Sequence, residues 1–434
     1  MSESREATDL DLGGGRAPSD GAWLAQGESR EAAGLAAGLG HGGRVPCGRV
    51  ALIGANGHGR WHRRQIPALR EAGVAELVAL VDVRPVEPGP DSVPHFTDHR
   101  EMLRETRPDA VVICTPPHTH RPIATDALRA GADVLLEKPP VLSLAEHRAL
   151  SEVLAETGRA CQIGFQALGS AALAELRRSI AYGVVGTVTG VSTVASWQRD
   201  DAYYQRSPWA GRRTVDGRPA LDGALANPLA HAWMQCLAIM DDDPPVGVEL
   251  ERYRCRDIEV DDTATMRITL ASGRPILVAV TLCGEEKIEG EVIVHGTAGK
   301  AVLEYPTDRL KLPGDADFRA IPGRASLLEN LLRHRADGTP LIVPLARTEP
   351  FTAVLDVLNS APVPAFLGGD VVVEEGETPA RTVMIRGVDA ALRQAAERLA
   401  LLSEVPVPWA VDPHRVRLTA TPETELQTTE TTVR

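Results

Sequence analysis

The stretch VALIGANGHG, residues 50–59, decides how the first part of this chain folds. Its four apolar residues are typical of a buried strand, and they run directly into a glycine-rich turn. Such a turn lets the backbone approach a pyrophosphate, while the helix that follows directs free N–H groups to the same point. Gly54 and Gly59 fill the first and third glycine positions of the dinucleotide motif, and Asn56 stands at the middle one. Because asparagine tolerates a positive φ, the turn is predicted to survive this replacement.

The turn is therefore predicted to hold a dinucleotide against Gly54, Asn56, Gly57, His58 and Gly59. Glycine-rich turns also occur without a ligand, so the neighbouring elements matter. Further apolar runs at 77–81, 110–114 and 134–136 are separated by amphipathic segments. This pattern predicts a parallel sheet covered on both faces. Right-handed crossovers make it doubly wound, which gives a Rossmann domain over residues 47–164.

The pattern changes after residue 164. A helical segment at 171–182 precedes apolar–polar alternation at 263–270 and 276–282, and a short run at 291–295. Consecutive strands with short turns predict an α+β domain with a mostly antiparallel sheet, residues 165–412. Helices are also predicted at 327–335 and 388–402. Residues 1–46 and 413–434 are predicted to be disordered tails.

Composition excludes several classes of protein. The chain has 434 residues and a formal net charge of -13, and no basic run stands out, which argues against nucleic acid as a partner. No apolar run reaches the ~18 residues that a membrane-spanning helix needs. The first residues lack the basic start and apolar core of a signal peptide. Six scattered cysteines without CxxC spacing suggest reduced thiols, so a cytoplasmic protein is expected.

Asp82 ends the second predicted strand, where a carboxylate can accept both ribose hydroxyls of NAD. It could also be a helix cap or a turn residue. Arg84, two residues later, could instead pair with a 2′-phosphate. NAD is therefore the predicted cofactor, and NADP remains possible.

The segment Thr115-Pro116-Pro117-His118-Thr119-His120 follows the third strand. Its prolines predict a rigid strand exit. A cofactor in the turn would lie with its nicotinamide ribose against Thr115, Pro116, Pro117 and His120. The alternative is a His-x-His metal site, but no third ligand is evident nearby, so no metal is expected.

Glu137-Lys138-Pro139 follows the fourth strand. Open parallel sheets bind ligands at the carboxyl ends of their strands, which places Glu137 and Lys138 beside the cofactor. Lys138 is the predicted catalytic group, because an amine with a pKa lowered by burial can take a hydroxyl proton. The alternative is an ordinary exposed lysine.

With these motifs in this order, the chain resembles the Gfo/Idh/MocA oxidoreductases, the glucose–fructose oxidoreductase and inositol dehydrogenase family. The resemblance rests on the glycine turn with His62, on the 115–120 segment, on Glu137-Lys138-Pro139 and on residues 294–299. It implies a large, open second sheet, NAD(P)-dependent chemistry on sugars or cyclitols, and catalysis by Lys138. It also implies a homodimer or homotetramer formed through the second sheet.

The family also uses an Asp-x-x-x-His pair, and the matching residues here are Asn227 and His231. The resemblance makes both residues catalytic candidates, although asparagine cannot supply the charge of aspartate. From the residues alone, Asn227 is predicted to be an N-cap and Pro228 the first helical residue. His231 would then lie one turn on, with its ring kept neutral by the positive helix end. The alternatives are a plain cap and a core histidine.

Aromatic residues are 4% of the chain, yet several fall between 197 and 209. Aromatic rings with hydrogen-bonding tips suit a sugar ring, and arginines suit a carboxylate or phosphate. Alternatively, this loop packs into the interdomain hinge. The predicted substrate residues are Trp197, Tyr203, Tyr204, Arg206, Trp209 and Arg212.

The sequence therefore predicts an NAD(P)-dependent oxidoreductase. It would transfer hydride between nicotinamide and a secondary alcohol or ketone of a sugar, sugar derivative or cyclitol. Two alternatives remain open. One is an NAD-retaining lyase or glycosidase that oxidises its substrate transiently, and the other is a non-catalytic, cofactor-binding regulator.

Overall fold

The computed structural model describes residues 47–87, 93–220 and 222–418. The predicted N-terminal tail and residues 419–434 lie outside these ranges. The predicted C-terminal tail begins too early, because His414–Arg417 is a strand paired with residues 247–250. In the described part of the chain, no helix is long and apolar enough to cross a membrane.

The first domain is a parallel sheet with helices between its strands. The strands are β1 (Gly48–Ile53), β2 (Ala75–Val81), β3 (His95–Phe96), β4 (Ala110–Ile113), β5 (Asp133–Leu136) and β6 (Cys161–Ile163). The helices are α1 (Gly59–Glu71), α2 (His99–Thr106), α3 (His120–Arg129) and α4 (Leu144–Thr157). The six strands lie in the order β3-β2-β1-β4-β5-β6, which confirms the doubly wound prediction.

These strands form because their residues are apolar towards both faces, and every residue of β4 and β5 is buried. The helices begin at local signals. For example, Ser143 Oγ accepts the Glu146 N–H at 3.2 Å at the start of α4. The strand order reverses between β1 and β4. The loops that leave these two strands therefore lie side by side at the carboxyl edge of the sheet.

The second domain combines one large sheet with helices. Its helices are α5 (Ala171–Ala181), α6 (Asp201–Gln205), α7 (Ala230–Ile239), α8 (Leu327–Asp337), α9 (Glu349–Ser360) and α10 (Val388–Arg398). The strands are β7 (Val188–Gln198), β8 (Thr214–Val215), β9 (Arg218–Pro219), β10 (Pro245–Arg254), β11 (Thr263–Leu270), β12 (Pro275–Thr281), β13 (Cys283–Gly296), β14 (Gly299–Glu304), β15 (Arg309–Lys311), β16 (Arg319–Ala320), β17 (Ala365–Phe366), β18 (Val372–Glu375), β19 (Thr382–Ile385) and β20 (His414–Arg417).

Ten of these strands form one sheet in the order β16-β15-β14-β13-β7-β12-β11-β10-β17, with β20 also paired to β10. All neighbours are antiparallel except β7 with β12 and β10 with β17. The predicted α+β domain with a large, mostly antiparallel sheet is confirmed. The last predicted helix is shorter than expected, because Leu399 adopts a left-handed conformation (φ 54°) directly after Arg398.

Both faces of the large sheet are covered by the chain itself. The alternating residues Met266 and Ile268 of β11 face the main core, which α7 also joins. On the opposite face, Val388 and Leu392 of α10 pack with Leu277 of β12 in a second buried cluster. Assembly of copies through this sheet, which the family resemblance implies, stays a prediction.

Candidate active site

Both domains line one cavity of about 1440 Å³ at the carboxyl edge of the parallel sheet. A site for one small ligand is usually ~300–1,000 Å³, so this cavity has room for a dinucleotide and a substrate together. The predicted residues that line it are Gly54, Asn56, Gly57, His58, Asp82, Arg84, Thr115, Pro116, Pro117, Glu137, Lys138, Trp197, Tyr203, Arg206, Trp209, Asn227 and His231. Four other predicted residues do not line it, namely Gly59, His120, Tyr204 and Arg212.

The turn after β1 requires glycine for steric reasons. Gly54 has a φ of 83°, and a Cβ there would lie 2.7 Å from the carbonyl carbon of Cys114. A Cβ on Gly59 would lie 2.0 Å from the Gly54 oxygen. The positive φ predicted for Asn56 is instead found at Gly57, at 60°. The turn is therefore a tight cradle at the start of α1, and it fits the diphosphate of a dinucleotide.

Asp82 follows β2 and holds the same turn in place. Its Oδ2 accepts the Asn56 N–H at 2.9 Å, and its Oδ1 accepts the Arg84 N–H at 3.0 Å. Burial raises the pKa of this carboxyl, but the hydrogen bonds from Asn56 and Arg84 and the charge of Arg84 together lower it below its ordinary value. Arg84 is mostly exposed, with Nε 3.8 Å from Asp82 Oδ1. A charged carboxylate thus lies where a cofactor ribose would be recognised.

His120 supports the site from behind and does not contact the cavity. Its Nδ1 lies 2.9 Å from the Pro139 oxygen, and its Nε2 lies 2.8 Å from the Thr115 oxygen. The ring ties the loop after β4 to the segment after Lys138 and does not line the cavity in which its cofactor contact was predicted. The same contacts occupy both ring nitrogens that a His-x-His metal site would need. His118 lines the cavity in its place.

Glu137 is a buried carboxylate surrounded by donors. Its Oε1 lies 3.1 Å from His62 Nε2, 3.4 Å from His58 Nε2 and 2.9 Å from Gln166 Nε2. Burial raises its pKa, but the attraction of His58 and His62 lowers it well below the ordinary value. Glu137 therefore stays ionised and anchors the loop that carries Lys138.

Among the described residues, two clusters have the composition of a metal site. The ligand atoms of His58, His62 and Glu137 lie within 4.8 Å of one another, as do those of Cys255, Asp262 and Cys283. In the first cluster His58 and Glu137 line the cavity, and both histidines already contact the Glu137 carboxylate. Nitrogen, sulfur and carboxylate donors of this kind suit a transition metal such as zinc.

Lys138 points across the cavity to the second domain. Its Nζ donates to Asn227 Oδ1 at 2.8 Å and to the Asn227 backbone oxygen at 3.0 Å. Burial lowers the pKa of Lys138 to about 8, against the opposing attraction of Glu137 and Asp222. An amine with this pKa exchanges protons readily near neutrality, as a general acid or base must.

Asn227 does not cap the helix. Helix α7 begins at Ala230, with Leu229 at the N-cap position, so the predicted positions of Asn227 and Pro228 in the helix are wrong. The chain before α7 winds through turns instead, with the Leu229 N–H bonded to the Ala224 oxygen. The Asn227 side chain is thereby free to bind Lys138 and, through Nδ2, the Asp222 carboxylate at 3.0 Å.

His231 lies in the first turn of α7 and faces the same cavity as Lys138. Its ring packs edge-on against Phe165, with 5.6 Å between centroids, and its buried Nδ1 has no hydrogen-bond partner among the described residues. Burial, followed by repulsion from Lys138, lowers its pKa to about 3. Burial, rather than the helix end, is thus the main cause that favours the predicted neutral ring.

The aromatic segment divides between the cavity and the interior. The Arg206 guanidinium lies 3.6 Å from the Tyr203 ring centroid and 4.7 Å from that of Trp209. These three side chains and Trp197 line the cavity. Tyr204 instead packs against Arg256, 5.1 Å from its ring centroid. Arg212 pairs with Glu259 at 2.8 Å, so neither of these two predicted substrate residues lines the cavity.

Several functional candidates were not predicted. Asp222 and Gln166 bind the polar groups around Lys138, and His118, Arg218, Tyr305 and Arg324 also line the cavity. For Asp222 one signal existed in the sequence. A carboxylate stands five residues before the position where the family has its aspartate and this chain has Asn227.

Two family models match stretches of this chain. One, described as an oxidoreductase family with an NAD-binding Rossmann fold, matches residues 48–165. The other, the GFO/IDH/MocA C-terminal domain, matches residues 173–302. The chain belongs to the Gfo/Idh/MocA oxidoreductase family. In this Gfo/Idh/MocA protein, the glycine cradle and the Asp82 carboxylate would hold NAD.

Curated relatives of this Gfo/Idh/MocA chain include dehydrogenases. The scyllo-inositol 2-dehydrogenase (NAD(+)) of Bacillus subtilis is 32% identical over 145 residues, which is 32% of this chain and 41% of the relative. An uncharacterised oxidoreductase of Escherichia coli is 25% identical over 328 residues, which is 73% of this chain and 91% of the relative. The matches to the first three relatives, all inositol dehydrogenases, span only 40–42% of their length. Their whole activity therefore does not transfer by similarity alone.

Solved structures agree with the Gfo/Idh/MocA fold. The WlbA dehydrogenase from Bordetella pertussis, in complex with NADH and UDP-GlcNAcA, has a TM-score of 0.62 at 20% identity. This match covers 74% of this chain and 100% of that one. A levoglucosan dehydrogenase in complex with NADH has a TM-score of 0.60 at 18% identity, covering 71% and 95%. At these identities the likeness shows the fold.

Proposed function

We propose that the chain is an NAD-dependent dehydrogenase that oxidises a secondary alcohol of a sugar, sugar derivative or cyclitol. One observation carries the proposal. The Lys138 amine is held at 2.8 Å by Asn227 Oδ1 in the same cavity as the glycine cradle and the His231 ring. The inositol dehydrogenases among the relatives support this substrate class. The free thiols of the described cysteines agree with a cytoplasmic location.

The residues of the chain divide the chemistry between them. Bound NAD would supply the hydride acceptor. Neutral Lys138 takes the proton of the substrate hydroxyl and returns it to solvent after turnover. His231, which stays neutral, orients the same hydroxyl by a hydrogen bond. Trp197 and Tyr203 line the same cavity and would contact the apolar side of the sugar ring, as aromatic side chains do in carbohydrate sites.

The activity is tested by a spectrophotometric panel. Sugars, sugar acids and cyclitols are each incubated with NAD⁺ or NADP⁺, and NADH or NADPH formation is followed. We expect net NADH formation with at least one of these alcohols. Cleavage of a substrate without net NADH would support the NAD-retaining lyase or glycosidase instead. Binding of NAD without any turnover would support the regulator.

The rate of alcohol oxidation should depend on the ionisation of Lys138. Its pKa is about 8, so the active base form is scarce at low pH and dominant above that value. We expect kcat/KM to rise about tenfold per pH unit below about pH 8 and to level off above it. Ketone reduction needs the ammonium form and should show the opposite dependence. A profile that is flat from about pH 6 to about pH 10 would contradict this role.

Replacing Asp82 with asparagine should weaken recognition of NAD⁺. A charged hydrogen bond contributes about 1.5–3 kcal/mol, so the KM for NAD⁺ should rise about 10- to 100-fold. Relative use of NADP⁺ should improve, because the variant no longer repels a 2′-phosphate. The control is Asp98→Asn, which changes a carboxylate that also accepts a backbone N–H, at 2.7 Å, outside the cavity. Unchanged cofactor kinetics in Asp82→Asn would disprove the assignment.

A further inference from the structure

We propose that Asp222 is a positioning residue that acts on Lys138 through the Asn227 side chain. This inference rests on the proposed function of Lys138. Asp222 Oδ1 accepts from Asn227 Nδ2 at 3.0 Å, and Asn227 Oδ1 accepts from Lys138 Nζ at 2.8 Å. The amide thus joins a carboxylate to the amine in one continuous chain of hydrogen bonds. The Asp222 side chain is only 1% exposed, so water does not compete for it.

The carboxylate determines which way the amide faces. An amide has one end that donates and one that accepts, whereas a carboxylate can only accept. With Asp222 on one side, the NH₂ group of Asn227 must turn towards it. The oxygen is then left for the Lys138 amine. Without the carboxylate, a flipped amide would present its NH₂ group to an ammonium group, and neither could accept.

Asp222 is itself fixed in place. Its Oδ2 accepts the Gly211 N–H at 2.8 Å, and Arg206 Nη2 approaches Oδ1 at 3.3 Å. A second carboxyl, Asp261, is close enough to interact with Asp222, and its own partner is Arg252 at 3.6 Å. These bonds connect Asp222 to the segment that carries Arg206 and Trp209. The buried Asp222 carboxylate is therefore bonded both to the segment on the substrate side of the cavity and, through Asn227, to the Lys138 amine.

The charge acts on the amine as well. Glu137, Asp222, Arg206 and His231 are the titratable or charged groups whose interaction with Lys138 is resolved. Attraction by Glu137 and Asp222 raises the pKa of Lys138, and the smaller repulsion from Arg206 lowers it. The family has a carboxylate directly at position 227. In this chain Asp222 supplies that negative charge instead, with the Asn227 amide between it and Lys138.

Because the chain contains few lysines, the effect of Asp222 on the ionisation of Lys138 can be measured without enzyme turnover. The chain has four lysines, at 138, 287, 300 and 311. With ¹³C-labelled lysine, the ε-methylene NMR spectrum should contain a signal for each, and Lys138→Ala assigns the one of interest. The pH midpoint of that signal reports the ionisation of Lys138 directly. The three other lysines are internal controls.

Four proteins are compared: wild type, Asp222→Asn, Asp222→Asn/Asn227→Asp, and Asp243→Asn. In Asp222→Asn the Lys138 midpoint should move down and kcat should fall on the order of 10- to 100-fold through lost orientation. The double variant places the carboxylate directly against the amine, so the midpoint should return to the wild-type value or above, and activity should recover. Asp243 accepts a backbone N–H at 2.9 Å and pairs with Arg274 at 2.8 Å outside the cavity, so Asp243→Asn should leave the midpoint unchanged.

An unchanged Lys138 midpoint in folded Asp222→Asn would overturn the inference, as would a double variant no more active than Asp222→Asn. If Asp222→Asn does not fold, Asn227→Asp is compared with the double variant, which differs from it only at Asp222. Removing the Asp222 charge must lower the Lys138 midpoint, and equal midpoints in these two proteins overturn the inference. A further outcome is that the wild-type protein oxidises no alcohol while the variants still shift the Lys138 midpoint as expected. That result would refute the proposed function and leave the coupling between Asp222 and Lys138 intact.

Discussion

Replacing Lys138 with alanine should abolish measurable turnover while the protein still binds NAD⁺. The Lys138 amine has a pKa of about 8, and its removal leaves Asn227 Oδ1 without the side-chain donor that it binds at 2.8 Å. General acid–base catalysis usually contributes about 10²- to 10⁴-fold, so kcat should fall by at least that factor. Stopped-flow or steady-state NADH formation measures kcat, and fluorescence titration measures the Kd of NADH.

The matched control is Lys287→Ala. Lys287 is half exposed and pairs with Glu289 at 2.7 Å on the surface, so its loss should leave kcat unchanged. A Lys138→Ala protein with wild-type kcat would remove Lys138 from the mechanism. If both kcat and NADH binding are lost, the residue is structural, and circular dichroism would show the accompanying loss of fold.

Replacing Gly59 with alanine should prevent the nucleotide cradle from forming. The added Cβ would lie 2.0 Å from the Gly54 backbone oxygen. Neither atom can rotate away, because the backbone fixes the positions of both. Forcing a methyl group into a packed site costs about 1–3 kcal/mol, and more when the backbone cannot shift. We expect a lower melting temperature and an NADH affinity too weak to measure by titration.

Gly73→Ala is the control for this variant. Gly73 has a φ of 71°, and a Cβ there would meet no atom within 4 Å. The Gly73→Ala substitution therefore costs about 1–2 kcal/mol, because alanine must adopt a left-handed backbone conformation, but it does not crowd the cradle. NADH binding should survive in Gly73→Ala. Wild-type NADH affinity in Gly59→Ala would show that the turn does not hold the cofactor.

Local patterns predicted the part of the fold that local chemistry determines. Examples are the glycine turn, the strand that ends before Lys138 and the alternation in β11. In each case the residues that determine the structure lie within a few positions of one another. A parallel sheet follows from such runs because apolar residues towards both faces require cover on both. The same patterns placed Lys138 at the carboxyl edge, and with it the predicted catalytic amine.

The errors share a different cause, which is partners distant in the sequence. Asn227 has the local chemistry of an N-cap, but its amide binds Lys138, 89 residues away. His120 faces Pro139 rather than the cavity, and Arg212 is taken by Glu259. Asp222 acquires its role only once Asn227 faces it. Local patterns do not reveal such pairings, since they depend on how separate elements pack and, for Lys138 and Asn227, on how the two domains meet.

Helix α10 has a consequence for how stability should respond to dilution. Its apolar residues cover the second face of the large sheet from within the same chain. A second subunit on that face would leave it at low protein concentration, because association depends on mass action. A tethered segment cannot diffuse away, so its effective concentration is constant. The shielding that α10 gives this face should therefore be equally complete in a dilute cell extract and in a concentrated stock.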